Sequence, residues 1–139
     1  MIKYLLDTNV ILEAINKTPD KKVMEQLRKH QNEIGTASLV WHELQYGCRR
    51  LPPSRKRQLI ESYLTKVVWP TMTIYPYDEA AADWHAIQRV RLNSIGQSPP
   101  FIDGQIAAIA KVNNLILVTR NTSDFDYLSE LKVQNWHAE

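Results

Sequence analysis

Ile2-Lys3-Tyr4-Leu5-Leu6-Asp7-Thr8-Asn9 is a short apolar run, rich in Ile, Tyr and Leu, that stops abruptly at an acid followed by two small polar residues. A run of this length and composition, ended by turn-forming polar residues, reads as a buried strand. Asp7 then stands at the strand's carboxyl end. If the strand is central to a parallel sheet, that end opens into the crevice where α/β folds bind ligands, and an acid fixed there is held rigidly at the site. The fold and the chemistry both turn on which other acids can meet Asp7.

Outward from that stretch, strand and helix patterns alternate. Val10 to Ile15 reads as a short helix ended near Pro19-Asp20, and Lys21 to Gln31 as an amphipathic helix carrying Val23, Met24 and Leu27 on one face. Glu33 to Ala37 is a second strand, with Ser38 the expected N-cap of a helix that contains Glu43 on its early half and Gly47 near its end. Pro52-Pro53-Ser54 breaks the chain before an amphipathic helix from Arg55 to Val68 that is expected to end at Pro70. Thr73 to Tyr77 is a third strand, and Asp78-Glu79 opens a long helix through Asn93 with Gly96 as its stop. After the rigid loop Gln97 to Phe101, Ile102 to Ala110 begins an alanine-rich helix with Asp103 at its positive end, where a carboxylate is expected to stay ionised. Leu115 to Thr119 is a continuous apolar run suited to a fully buried parallel strand, followed by the polar loop Arg120 to Asp124, and a last strand is expected around Val133 to Trp136. The pattern predicts one α/β domain over residues 1–139, with a mainly parallel central sheet of four to five strands flanked by helices.

Composition narrows the class. With 139 residues the chain is the size of one domain, and 44% hydrophobic with 23% charged residues describes a folded protein rather than a disordered tail. The single cysteine, Cys48, forms no intrachain disulfide and reads as a buried thiol in a reducing compartment. No apolar run has a membrane span's length and the N-terminus has no secretion-signal pattern, so a cytoplasmic protein without membrane contact is expected. A net charge of +2 does not identify a polyanion binder by itself.

Asp7, Glu43, Asp103 and Asp124 all fall where α/β connections meet one crevice. Each has an ordinary structural reading: Asp7 and Asp103 as helix caps, Asp124 as the cap of a turn before Phe125, and Glu43 as part of a solvated stripe beside Gln45. Gathered together, carboxylates repel and raise one another's pKa unless a cation holds them. An all-oxygen set favours Mg²⁺, with Mn²⁺ as a substitute, and there is no Cys/His cluster with zinc spacing. Such an ion could orient a phosphodiester and activate a water.

The sequence resembles the PIN-domain ribonucleases, most closely the VapC-type toxins of bacterial type II toxin-antitoxin pairs. The resemblance rests on Tyr4-Leu5-Leu6-Asp7-Thr8-Asn9-Val10-Ile11, Ser38 to Gly47, Asp103-Gly104-Gln105-Ile106-Ala107-Ala108 and Leu117 to Phe125, in the family's order and spacing across nearly the whole chain. It implies a three-layer PIN-like fold and a Mg²⁺-dependent endoribonuclease in which Asp7, Glu43, Asp103 and Asp124 match the acidic positions. Asp7 and Asp103 would be metal ligands, Glu43 a ligand or the group that positions water, and Asp124 a direct or water-mediated ligand, with Asn121 contributing in some members. Thr8 and Asn9 would brace the first loop, and Thr119 would orient an acid. It also implies an RNA substrate, neutralisation by a cognate antitoxin, and a homodimer.

Arg49, Arg50, Arg55, Lys56 and Arg57 put five positive charges within nine residues around Pro52-Pro53. They read either as helix-end and solvated charges or as a rim that contacts RNA phosphates without reading sequence. His30, His42, His85 and His137 show no ligand spacing and take packing or surface roles; Trp41, Trp69, Trp84 and Trp136 take core or interface roles; Arg89 and Arg91 read as solvated. Two other functions compete. A phosphoryl-transfer enzyme with Asp7 as nucleophile needs a second acid two residues on, where Asn9 stands, and a lysine in a strand-end loop. A PIN-like module that binds RNA or protein without catalysis would have no reason to keep four mutually repelling acids.

Overall fold

The computed structural model describes residues 1–128 and 130–138. Its centre is a sheet of five strands, β1 (Tyr4–Leu6), β2 (Ile34–Ala37), β3 (Thr73–Tyr75), β4 (Ile116–Val118) and β5 (Val133–Gln134), in the order β3-β2-β1-β4-β5. Every neighbouring pair is parallel. Because successive strand residues face opposite sides, the complete burial of Leu5 with Leu6, and of Leu117 with Val118, means both faces of the sheet are covered. Sequence order runs outward on one side of β1 and resumes with β4 on the other. The carboxyl ends of β1 and β4 therefore flank the topological switch point, where an open parallel sheet leaves its crevice.

The covering helices are α1 (Thr8–Leu12), α2 (Lys21–Lys29), α3 (Ser38–Arg49), α4 (Arg55–Tyr63), α5 (Trp69–Thr71), α6 (Glu79–Ser94) and α7 (Phe101–Val112). Short 3-10 turns follow at Glu13–Ile15 and Thr122–Phe125. The alanine face of α7 is fully buried at Ala107, Ala108 and Ala110, which brings its backbone close to the sheet and to α6. No helix among the described residues is long and apolar enough to cross a membrane.

The chain end is tied down far from β1 in sequence. His137 Nε2 lies 3.3 Å from Glu13 Oε2, and the Ala138 N–H donates to Asp20 Oδ2 at 2.9 Å. Burial pushes the Glu13 carboxyl up, but donors from Asp20 N–H, His137 and Asn16 outweigh it and hold the group below its ordinary value.

Several element boundaries differ from the sequence expectation. Ser38 is already helical: β2 pairs through Ala37, so Ala37 is the capping residue and no side chain caps α3. The helix from Arg55 does not end at Pro70. It widens into a π turn over Leu64–Val68 and tightens again through α5, and that widening makes room for the proline ring and its missing N–H. β3 stops at Tyr75, before Pro76. β5 stops at Gln134 because Trp136 turns to pack on Tyr4 and His30, with ring centroids 5.2 Å and 5.7 Å away.

His85, expected in a packing or surface role, is buried between α6 and α7. Its Nδ1 is 3.0 Å from the Tyr77 hydroxyl, and its ring lies 5.0 Å from Phe101. Burial first, then the Arg89 guanidinium, lowers its pKa and keeps the ring neutral. A Cβ on Gly104 would run into this imidazole, so the glycine permits the approach of α7. Gly104→Ala is expected to lower stability by about 1–3 kcal/mol, the usual cost of overpacking, despite alanine's better helix propensity. Denaturant unfolding measures this; a variant as stable as wild type would show that α6 and α7 are not packed as described.

Candidate active site

Asp7 follows β1 directly, and its backbone N–H donates to the Val118 carbonyl of β4 at 2.9 Å, extending the strand pairing to the acid itself. Its carboxylate is held on both oxygens. Oδ1 accepts the Thr8 N–H at 2.8 Å, capping α1, and Oδ2 accepts the hydroxyl of Thr119 at 2.8 Å. Thr119 is fully buried just beyond β4, and its oxygen accepts the Asn121 N–H at 3.2 Å. Asp7 is thus both the cap of α1 and an oriented acid in the crevice. Thr8 links it to a second acid: its hydroxyl donates to Glu43 Oε2 at 2.8 Å across 35 residues of sequence.

Glu43 is exposed on α3, Asp103 half-buried in the first turn of α7, and Asp124 exposed in the 3-10 turn after β4. The Asp103 carboxyl is pushed above its ordinary value, first by burial and then by the charges of Asp124, Asp7 and Glu43. One acid therefore feels the field of the other three. The start of α7 favours the charged form of Asp103, as the sequence suggests, while desolvation and three like charges oppose it and shift the pKa upward. The desolvation has a visible source, since Trp84, Leu92, Phe125 and Leu128 line a hollow that borders Asp103 and Asp124. Arg91, expected to be solvated, donates to the Tyr127 carbonyl at 3.0 Å and so ties the segment bearing Asp124 to α6.

The four acids share a field without forming a finished cage. Among the described residues no three Asp, Glu, His or Cys side chains stand close enough to hold an ion between them. The donor set still fits a hard divalent cation: it is all carboxylate, its like charges act on one another at Asp103, and Mg²⁺ commonly binds through one or two carboxylates while keeping several waters. Asn9 Oδ1, two residues beyond Asp7, is buried with no hydrogen-bond partner among the described residues, so none of them is braced by Asn9 through that atom.

The five basic residues divide. Arg57 serves the fold, donating to Glu61 at 2.8 Å and to the Leu51 carbonyl at 3.0 Å. Arg49 donates to Gln45 at 3.2 Å, and Arg50 lies over the Tyr46 ring at 5.7 Å. Arg55 and Lys56 are exposed in the first turn of α4, where positive charge opposes the helix dipole, so helix stability does not explain them. Cys48 is buried. Trp136 is buried, whereas Trp69 remains 61% exposed and leans on Trp41 at 5.5 Å.

Comparison with known proteins agrees with this arrangement. The PIN domain profile matches residues 4–131. The chain is 30% identical over 137 residues to a tRNA(fMet)-specific endonuclease VapC of Shigella flexneri, covering 98% of this chain and 99% of that protein. It is 31% identical to Toxin FitB of Neisseria gonorrhoeae, covering 96% of this chain and 98% of the toxin. Among solved structures, VapBC2 of Rickettsia felis bound to a promoter DNA fragment superposes with a TM-score of 0.82 at 30% identity, over 98% of this chain and 99% of that one. A parallel sheet carrying an oriented acid at its switch point, three more acids in the same field and a match over nearly the whole length have one reading: the chain belongs to the PIN-domain family.

Proposed function

We propose that this protein is a divalent-cation-dependent endoribonuclease, the toxin of a type II toxin-antitoxin pair, with residues 1–139 acting as one nuclease domain. The observation that carries the reading is the set of acids at one crevice: Thr8 joins Asp7 to Glu43, and the Asp103 carboxyl is raised first by burial and then by the charges of Asp124, Asp7 and Glu43. Like charge held at one crevice costs stability, and it is explained by a cation and a polyanionic substrate that meet there. The named relatives support the same class, since the Shigella protein is called an endonuclease of tRNA(fMet) and the Rickettsia structure is a VapBC complex.

In this reading Asp7 and Asp103 hold the ion, with Mg²⁺ the natural occupant and Mn²⁺ a substitute, and Asp124 completes the site directly or through water. When bound, the ion supplies positive charge against the phosphodiester oxygens and acidifies a water. The chain's own residues do the rest. Thr8 and Thr119 fix the Asp7 carboxylate in one orientation through its two oxygens, so it needs little reorganisation when substrate arrives. Glu43, steadied by the Thr8 hydroxyl, is placed to accept a proton from the attacking water. Arg49, Arg50, Arg55 and Lys56 offer charge to the RNA backbone, while Arg57 is committed to Glu61. An exposed single-stranded loop, such as a tRNA anticodon, suits a shallow site of this kind, as do mRNA and rRNA. A cognate antitoxin silences the toxin, an arginine inserted among the acids being a suitable means, and the toxin pairs as a homodimer in the cytoplasm.

Purified protein freed of antitoxin should cut discrete species from total RNA with Mg²⁺, stop with EDTA and resume with Mn²⁺. Asp7→Asn should stay folded and lose more than about a hundredfold in rate; cleavage at the wild-type rate would refute the mechanism.

Asp103 generates a second expectation. Its folded pKa lies above the unfolded value, so the stability it contributes is present below the unfolded pKa and lost as pH rises through the folded one. At neutral pH without cation, Asp103→Asn should therefore melt a few degrees above wild type. Adding Mg²⁺ or Mn²⁺ should raise the melting temperature of wild type and move the variant much less. Equal shifts in both would remove Asp103 from the ligand set.

A further inference from the structure

Glu43, Tyr46, Gly47 and Arg50 lie at successive helical spacings along α3 and its cap, so the stripe that begins at one of the site acids continues to the basic segment. Three features of this stripe have no role in holding the fold. Tyr46 keeps 62% of its surface exposed although two partners flank it: the Arg50 guanidinium 5.7 Å over its ring, and the His42 ring 6.3 Å away, edge-on at 75°. His42 and Arg50 are themselves exposed. Gly47 lies in mid-helix, where glycine is disfavoured, yet a Cβ there would meet nothing within 4 Å, so no close packing demands it. An exposed aromatic ring with a guanidinium over its face and an imidazole meeting it edge-on, beside a bare stretch of helix backbone, offers the kinds of group with which proteins bind unpaired nucleotides. The sign of the charge agrees, because Arg49 and Arg50 close α3, and exposed Arg55 and Lys56 open α4, which packs on α3, while Glu43 stands nearer the other end of α3.

We infer that the outer face of α3 is a single-strand RNA track: the strand leaves the acidic crevice at Glu43, its backbone crosses the gap at Gly47, and one unpaired base packs on the Tyr46 ring within the His42–Tyr46–Arg50 cluster. The track rests on the endoribonuclease reading and adds to it the form of the substrate, an unpaired strand for at least one nucleotide beyond the scissile bond. It selects for strandedness rather than sequence, since every base presents a π-face. Trp41 and Trp69 are not part of it, being engaged with each other. The sequence signal for this face is ring, ring and arginine at intervals of four, His42, Tyr46 and Arg50.

The test uses full-length protein carrying Asp7→Asn to prevent cleavage, a labelled single-stranded RNA of about ten nucleotides, and anisotropy titrations at several salt concentrations. Tyr46→Ala should weaken binding by about five- to thirtyfold with the slope against log salt unchanged, whereas Tyr46→Phe should bind as the parent does. Arg50→Gln should weaken binding and reduce that slope by about one. Moving an abasic site along the RNA should find a position at which Tyr46→Ala costs nothing further, which a merely structural role could not produce. Gly47→Leu should weaken RNA binding while melting no lower than the parent. Parental affinity for Tyr46→Ala would overturn the track, and so would a penalty equal at every abasic position. A Tyr46→Ala protein that binds RNA normally but turns from dimer to monomer would identify this face as a contact between copies instead. Failure of the Asp7→Asn parent to bind RNA at all would refute the endoribonuclease reading itself.

Discussion

Four carboxylates do not gather by their own attraction; the parallel pairing of β1 between β2 and β4 sets them near one another against repulsion. Leu6 is paired with Thr36 on one side and with Val118 on the other. The next residue of each strand, Asp7, Ala37 and Thr119, therefore reaches the same edge of the sheet. Asp7 is the acid, Thr119 its hydrogen-bond donor, and Ala37 the start of the helix that carries Glu43. The Thr36 hydroxyl, fully buried, donates to the Leu6 carbonyl at 2.8 Å and fastens the same edge from beneath. A slip of one residue in either ladder would turn Asp7 away from Thr119 and separate Thr8 from Glu43.

The site is kept at some cost to the fold. The Asp7 carboxylate accepts from two donors, whereas Asp103 has burial and three like charges against its charged form and the start of α7 in its favour. Such an arrangement is typical of catalytic positions, which trade stability for reactivity. The opposite treatment of a buried carboxylate appears at Glu13, where three donors hold the charge and the result fastens the end of the chain. One fold thus contains an acid whose charge is met by donors and an acid whose charge its surroundings oppose.

Much of this was legible in the sequence because the strands are apolar runs ended by acids, and a parallel sheet sends all such ends to one side. Asp7 and Asp103 stand out by position, at a strand's end and a helix's start, whereas the bracing expected of Thr119 came from the family resemblance. What could not be read depends on contacts between distant segments. The raised pKa of Asp103 follows from burial and from the charges of Asp124, Asp7 and Glu43, none of which its own helix end reveals. His85 and Gly104 carry no local sign that an imidazole and a bare backbone meet. The end of β5 is decided by Trp136 finding Tyr4 and His30, more than a hundred residues earlier in the chain. The basic cluster read as a unit, yet Arg57 was claimed by Glu61 and Leu51.

The central claim is that the carboxylates of Asp7, Glu43, Asp103 and Asp124 share one electrostatic field. The most direct measurement is an NMR titration of the Asp103 side-chain carboxyl in the cation-free protein, in wild type and with Asp124→Asn. The account predicts a pKa above the ordinary aspartate value in wild type, a downward step when the Asp124 charge is removed, and a remaining elevation from burial. An Asp103 that titrates as an ordinary exposed aspartate, unchanged by Asp124→Asn, would contradict it.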